Sequence, residues 1–234
     1  MEDLEDALKS LKTGKCRDPE GIIREIFMED SIGEDLKKSL LMLCNKVKET
    51  RTLPEFMQKT NICAIYKGRG DMLSLDSDRG IFLITIFRTI LMKMVYQDIY
   101  PLIDILMSDS NIGARKQKNI RNHIFVVNLV IHDVLKKKDK KPIELMVLDY
   151  KQMFDSECLF EYMNDIYEAG VKNDLFALIY ESNRRSYVAV QTPQGLSKRE
   201  FFEDLVMQEG CDSPPNIRFT SRYLWKRMSG KGMS

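Results

Sequence analysis

The chain has 234 residues, 44% of them hydrophobic and 30% charged, with 36 Lys+Arg against 35 Asp+Glu. That length and apolar content suffice for a sizeable core, in one large domain or two lobes, and argue against a disordered chain. A formal net charge of +1 excludes nucleic-acid recognition by bulk charge, so any basic surface has to be local.

Five scattered cysteines (Cys16, Cys44, Cys63, Cys158, Cys211) contain no C-x-x-C pair, and the histidines are His123 and His132. This argues against a disulfide framework or structural zinc, and favours a reducing, intracellular compartment, cytoplasmic or nuclear. The acidic start Met1-Glu2-Asp3-Leu4-Glu5-Asp6 lacks the plan of a secretory signal. Apolar runs such as Gly80 to Phe87 are too short to span a bilayer, so no membrane partner is expected.

From the N-terminus, Leu4, Leu8 and Leu11 share one helical face, which predicts a helix from Glu2 to about Lys12. Asp18 then reads as an N-cap with Pro19 at the first position of a short helix through Phe27. Leu36, Leu40, Leu43, Cys44 and Val47 predict an amphipathic helix over Gly33 to Thr50, broken at Leu53-Pro54. Asn61 to Tyr66 reads as a strand entering Lys67-Gly68-Arg69-Gly70. Such a loop brings backbone N–H groups and cationic heads near phosphates, although Gly-Arg-Gly is also a common turn. A long helix follows from Thr85 to about Met107, with Pro101 expected to kink or split it.

Asn111 to Phe125 forms a glycine-marked loop with Arg115, Lys116 and Lys118, leading into a helix from Ile120 to about Lys136 that carries Arg121. Clustered cations at a loop and helix start suit a phosphate backbone, and equally a solvated loop. After the charged run Lys136 to Lys141, the apolar stretch Ile143 to Leu148 reads as a buried strand ending on Asp149. A carboxylate there either caps the next turn or holds a metal or charged ligand. Leu159 to Ala169 and Asp174 to Glu181 read as helices separated by Gly170. Ser186 to Gln191 alternates as a strand, Thr192 to Gly195 turns, and Phe201 to Met207 returns as its partner.

The words around Asp149 add a family. Asp149-Tyr150-Lys151-Gln152-Met153-Phe154-Asp155, with an aromatic five residues after the first Asp, resembles the first catalytic motif of reverse transcriptases, in particular those of non-LTR (LINE-like) retrotransposons. Leu11 to Ile22, the segment Lys67 to Leu83, the Gly113-x-Arg115-x-x-x-x-x-Arg121-x-His123 pattern and Val206 to Pro214 resemble further segments of that family, in order, over about residues 4 to 215. The resemblance implies an α+β chain: a mostly helical fingers region over 1–140, a partial polymerase palm over 141–215 and a divergent basic tail over 216–234. It implies that Asp149 binds Mg2+, that Tyr150 and Phe154 border the incoming nucleotide with Phe154 as sugar gate, and that Gln208 lies near the base pair. It further implies that Lys67 and Arg79 grip a deoxynucleoside triphosphate, and that Arg115, Lys116, Lys118 and Arg121 contact an RNA template and DNA primer.

The chain departs from the family at Met153, where a small residue is usual, and at Glu209, which separates Gln208 from Gly210. It also contains no adjacent Asp-Asp pair, and one aspartate cannot hold two ions roughly 4 Å apart. The expectation is a remnant or fragment of an RNA-directed DNA polymerase from a transposable element, inactive alone. The alternative is a non-enzymatic RNA- or DNA-binding module on the same scaffold.

Overall fold

The computed structural model describes residues 1–28, 32–106, 118–136, 144, 147 and 159–203. Among them the chain is of the α+β class, helices with a mixed sheet of five strands.

Helix α1 (Glu2–Lys9) buries Leu4, Ala7 and Leu8 on the face the spacing predicts, and lies against α4 (Ile86–Leu106). No helix forms over 19–27 beyond a single 3-10 turn at Arg24–Phe27. Gly21 adopts φ +79°, a left-handed conformation that ends any helix nucleus begun at Pro19. Asp18 still caps, but differently: one carboxylate oxygen accepts from the Glu20 and Ile22 N–H groups at 2.9 and 2.8 Å. The other accepts from Ile86 N–H at 3.0 Å, satisfying an orphan donor at the start of α4, far along the chain. The Gly14 N–H donates to the Glu25 carboxylate at 2.8 Å and holds that carboxyl below its usual range.

Helix α2 (Glu34–Thr50) buries Leu40, Cys44 and Val47, while Leu36 stays exposed. Arg51 closes it at φ 56°, its N–H reaching Val47 O at 2.8 Å. Leu53 is buried, and Pro54 leads into the one-turn helix α3 (Glu55–Gln58). Strand β1 (Lys59–Tyr66) and strand β2 (Asp78–Ile84) then form an antiparallel hairpin, with Thr60 opposite Ile84 and Tyr66 opposite Asp78.

Helix α4 is the axis of the core. Ile86, Ile90, Leu91, Met92, Met94, Val95, Ile99 and Ile103 are buried on more than one side, as suits a helix covered all round. The helix runs on through Pro101 without dividing. Arg88, a charged residue on this helix, is only 3% exposed and donates to Ser182 O. Phe87 is held edge-on between Phe27 and Phe56 at 5.6 and 5.5 Å.

Helix α5 (Ile120–Lys136) stands next, with no buried residue. Helices α6 (Leu159–Glu168) and α7 (Asn173–Arg184) form a hairpin whose turn passes Gly170 at φ +94°, a C-cap glycine position. Tyr162, Ile166, Leu178 and Ile179 join the core built on α1, α2 and α4. Strand β3 (Arg185–Thr192) lies in the segment read as palm, yet it runs parallel beside β1, with Lys59 opposite Tyr187 and Cys63 opposite Gln191. Strands β4 (Gly195–Leu196) and β5 (Glu200–Glu203) both pair antiparallel with β3. No helix among the described residues is long and apolar enough to cross a membrane.

Candidate nucleic-acid interface

The sheet is buried at its root and bare at its tip. Thr60, Ile84, Ser186 and Val188 are buried, whereas Ile65, Tyr66 and Val190 further along the same strands are exposed. The hairpin end therefore projects into solvent, and there the sequence places its glycines and cations.

Register decides which cations meet. Ile65 lies opposite Arg79, and the Lys67 N–H continues the ladder by donating to Ser77 O at 2.8 Å. Lys67, two residues beyond Ile65, thus falls on the same face as Arg79, as a diagonal neighbour roughly 7–8 Å away. The Lys67 ammonium donates to Asp76 O at 2.8 Å, which leaves two of its three donors for another acceptor. The loop between them is built for close approach. Gly68 and Gly70 sit at φ +75° and +88°, and a Cβ on Gly70 would fall 2.5 Å from Ser77 Oγ, so neither position accepts an ordinary side chain. Tyr66 Oη donates to Gly70 O at 2.8 Å, and Asp71 accepts from Leu73 N–H at 2.9 Å.

Charge at the hairpin end is local rather than massed. Lys67, Arg69 and Arg79 are matched one for one by Asp71, Asp76 and Asp78. Met72, Leu73 and Leu75 are bare in the loop, Leu73 being 95% exposed.

The second cluster opens α5. Asn119 Oδ1 accepts from the Arg121 N–H at 2.9 Å, an N-cap that the sequence reading passed over. Lys118 and Arg121 are exposed on either side of it. Cations at a helix N-terminus face the positive end of the macrodipole, at a cost of about 0.3–1 kcal/mol each. Helix stability therefore does not account for their placement, whereas an anionic ligand would.

Arg199 is a residue the sequence did not single out. Its guanidinium donates to Thr60 O, Tyr187 O and Asn61 Oδ1 at 3.1, 2.8 and 2.9 Å, joining β1 to β3 beneath the projecting tip. Beside it the Cys63 thiol donates to Gln191 Oε1 at 3.1 Å. Burial, and secondarily the nearby Cys16, push the Cys63 thiol up from its ordinary range.

Of the residues implied by the family resemblance, the structure brings Lys67 and Arg79 together on the hairpin and sets Lys118 and Arg121 at the start of α5. Arg115, Lys116, Asp149, Tyr150, Phe154 and Gln208 lie outside the described residues. Among the described residues no group of three or more His, Cys, Asp or Glu could hold a metal ion. No protein-family model matches the chain, and no curated protein matches it.

Proposed function

We propose that this chain derives from the reverse transcriptase of a non-LTR retrotransposon and acts on a nucleic-acid–nucleotide ligand through its glycine-rich hairpin and the basic start of α5. The observation that carries the reading is the diagonal placement of Lys67 and Arg79 on one hairpin face. Two cations beside a loop that tolerates only glycine at two positions suit the oxygens of a triphosphate, which reward charge-assisted contacts. Asp149 would supply the magnesium ligand and Phe154 the sugar gate. With no adjacent Asp-Asp pair in the sequence, template-directed synthesis by this chain alone is not expected.

Titration with a labelled deoxynucleoside triphosphate, and separately with an RNA–DNA hybrid, tests the reading. Arg79→Ala should weaken triphosphate binding about tenfold, and Arg79→Lys should recover only part of it, because a lysine head lacks the planar fork. Measurable primer extension that is abolished by Asp149→Asn would overturn the expectation of inactivity. Triphosphate binding indifferent to both Lys67→Ala and Arg79→Ala would remove the hairpin from the reading.

The cost of placing Lys118 and Arg121 against the helix dipole favours the second reading, a non-enzymatic RNA- or DNA-binding module. In that case hybrid binding falls with salt, and the combined Arg115→Ala, Lys116→Ala and Lys118→Ala variant lowers the salt slope by about one per lost phosphate contact. Triphosphate binding would then be absent.

A further inference from the structure

Among the apolar surfaces left bare by the described helices, two match each other. The first is α5. Ile120, Ile124, Val127, Ile131 and Val134 recur at steps of four and three residues, so they form one continuous line down the helix. Val130 and Leu135 flank that line, and no residue of the helix is buried. A helix of this length owes most of its stability to packing of its apolar face. The second place is a groove of about 450 Å³ between α6 and α7, lined by Leu159, Phe160, Met163, Tyr167, Phe176 and Tyr180, with Asn164 as its polar member. Phe160 is 78% exposed there, far more than a large aromatic side chain at a packed helix pair needs to be.

We infer that α5 docks its apolar line into the α6–α7 groove of the same chain, as the third helix of a small bundle. Shape supports this: a groove between two packed helices accepts the ridge of a third. At about 1.5 Å per residue, α5 spans ~25 Å against ~15 Å for α6 and ~18 Å for α7, so it covers the groove end to end. Charge supports it too. Helix α6 carries Glu161, Asp165 and Glu168 with no Lys or Arg, whereas α5 carries Arg121 and Lys136 against Asp133, with His123 and His132.

The tether selects the occupant. Residues 137–158 separate Lys136 from Leu159, enough to reach up to ~70 Å if extended. A segment of the same chain within that reach meets the groove at any protein concentration, whereas a second copy meets it only in proportion to concentration. The inference does not depend on the polymerase reading: the apolar line of α5 and the groove carry it, and Arg121 is the one residue it shares with the basic start of α5.

Hydrogen exchange of the full chain, at low and at high micromolar protein with the mass in solution determined alongside, tests it. The docked state predicts that α5 amides are protected equally at both concentrations in a monomer. Phe160→Asp on the groove and Val127→Asp on the helix should each speed α5 exchange by about tenfold or more. Both positions are exposed in the undocked arrangement, so the melt of the remaining core should be unchanged. Unprotected α5 amides in the parent chain would overturn the inference, as would protection that ignores Phe160→Asp. Protection that rises with concentration together with a dimer mass would also overturn it, in favour of a second copy as the occupant.

Discussion

Cys44 shows what burial does to one group. It lies on the inner face of α2, and desolvation pushes its thiol from 9.0 to about 11, with Lys48 one turn on pulling the other way. In the unfolded chain the thiol loses its proton near pH 9, in the folded chain near pH 11, so between these values the folded state binds more protons. The contribution to stability is therefore fully present below pH 9 and is lost as pH rises toward 11, about 2–3 kcal/mol in all. Urea denaturation of the parent and of Cys44→Ala across that window should show the gap between them narrowing with pH. A gap that stays constant would mean the thiol is not desolvated. At this scale some roles were readable and others were not. Asp18 looked like the N-cap of a helix through Phe27, which does not form, and its distant client, the Ile86 N–H, has no trace in local spacing. Lys67 and Arg79 were legible as cations near a glycine turn, whereas their common face required the register of β1 on β2.

Among the elements, α1, α2, α4, α6 and α7 begin and end within a few residues of the pattern that predicted them, α4 although its buried residues cover more than one side of the helix. The first strand of the hairpin was legible as an apolar run entering glycines, whereas its partner, Asp78–Ile84, lay in a segment singled out only by the family resemblance. What could not be read was the parallel seam between β1 and β3, because strands so far apart in sequence carry no mark of their partner. Arg199 is central to that seam. Its planar fork takes three acceptors, two from β1 and one from β3, an arrangement that suits guanidinium and not ammonium. Arg199→Ala should cost about 1.5–3 kcal/mol, since hydrogen bonds to a charged donor lie at the upper end of the range. Arg199→Lys should recover less than half of that by chemical denaturation. Full recovery by lysine would show that charge, rather than the fork, holds the strands.

In the whole molecule, one core draws on both ends of the described chain. Leu159, Tyr162, Met163, Ile166, Leu178 and Ile179 pack into the same cluster as Leu4, Leu40, Met57 and Ile90. A fragment of residues 1–106 would leave the flank of α4 uncovered, so it should bind an apolar dye and melt without a sharp transition. A cooperative melt of that fragment would show that the first half is a folding unit of its own. The parallel seam also sets a timetable for synthesis. Strand β1 is complete at Tyr66, and its neighbour starts at Arg185. At ~5–20 residues per second on the ribosome, the inner edge of β1 waits roughly 6–24 seconds for the strand that will cover it. Throughout that interval a strand destined for the middle of the sheet is an edge, open to any other extended chain. The parallel seam thus exposes the chain while it is still on the ribosome, where a chaperone that shields strand edges would raise the yield of folded chain.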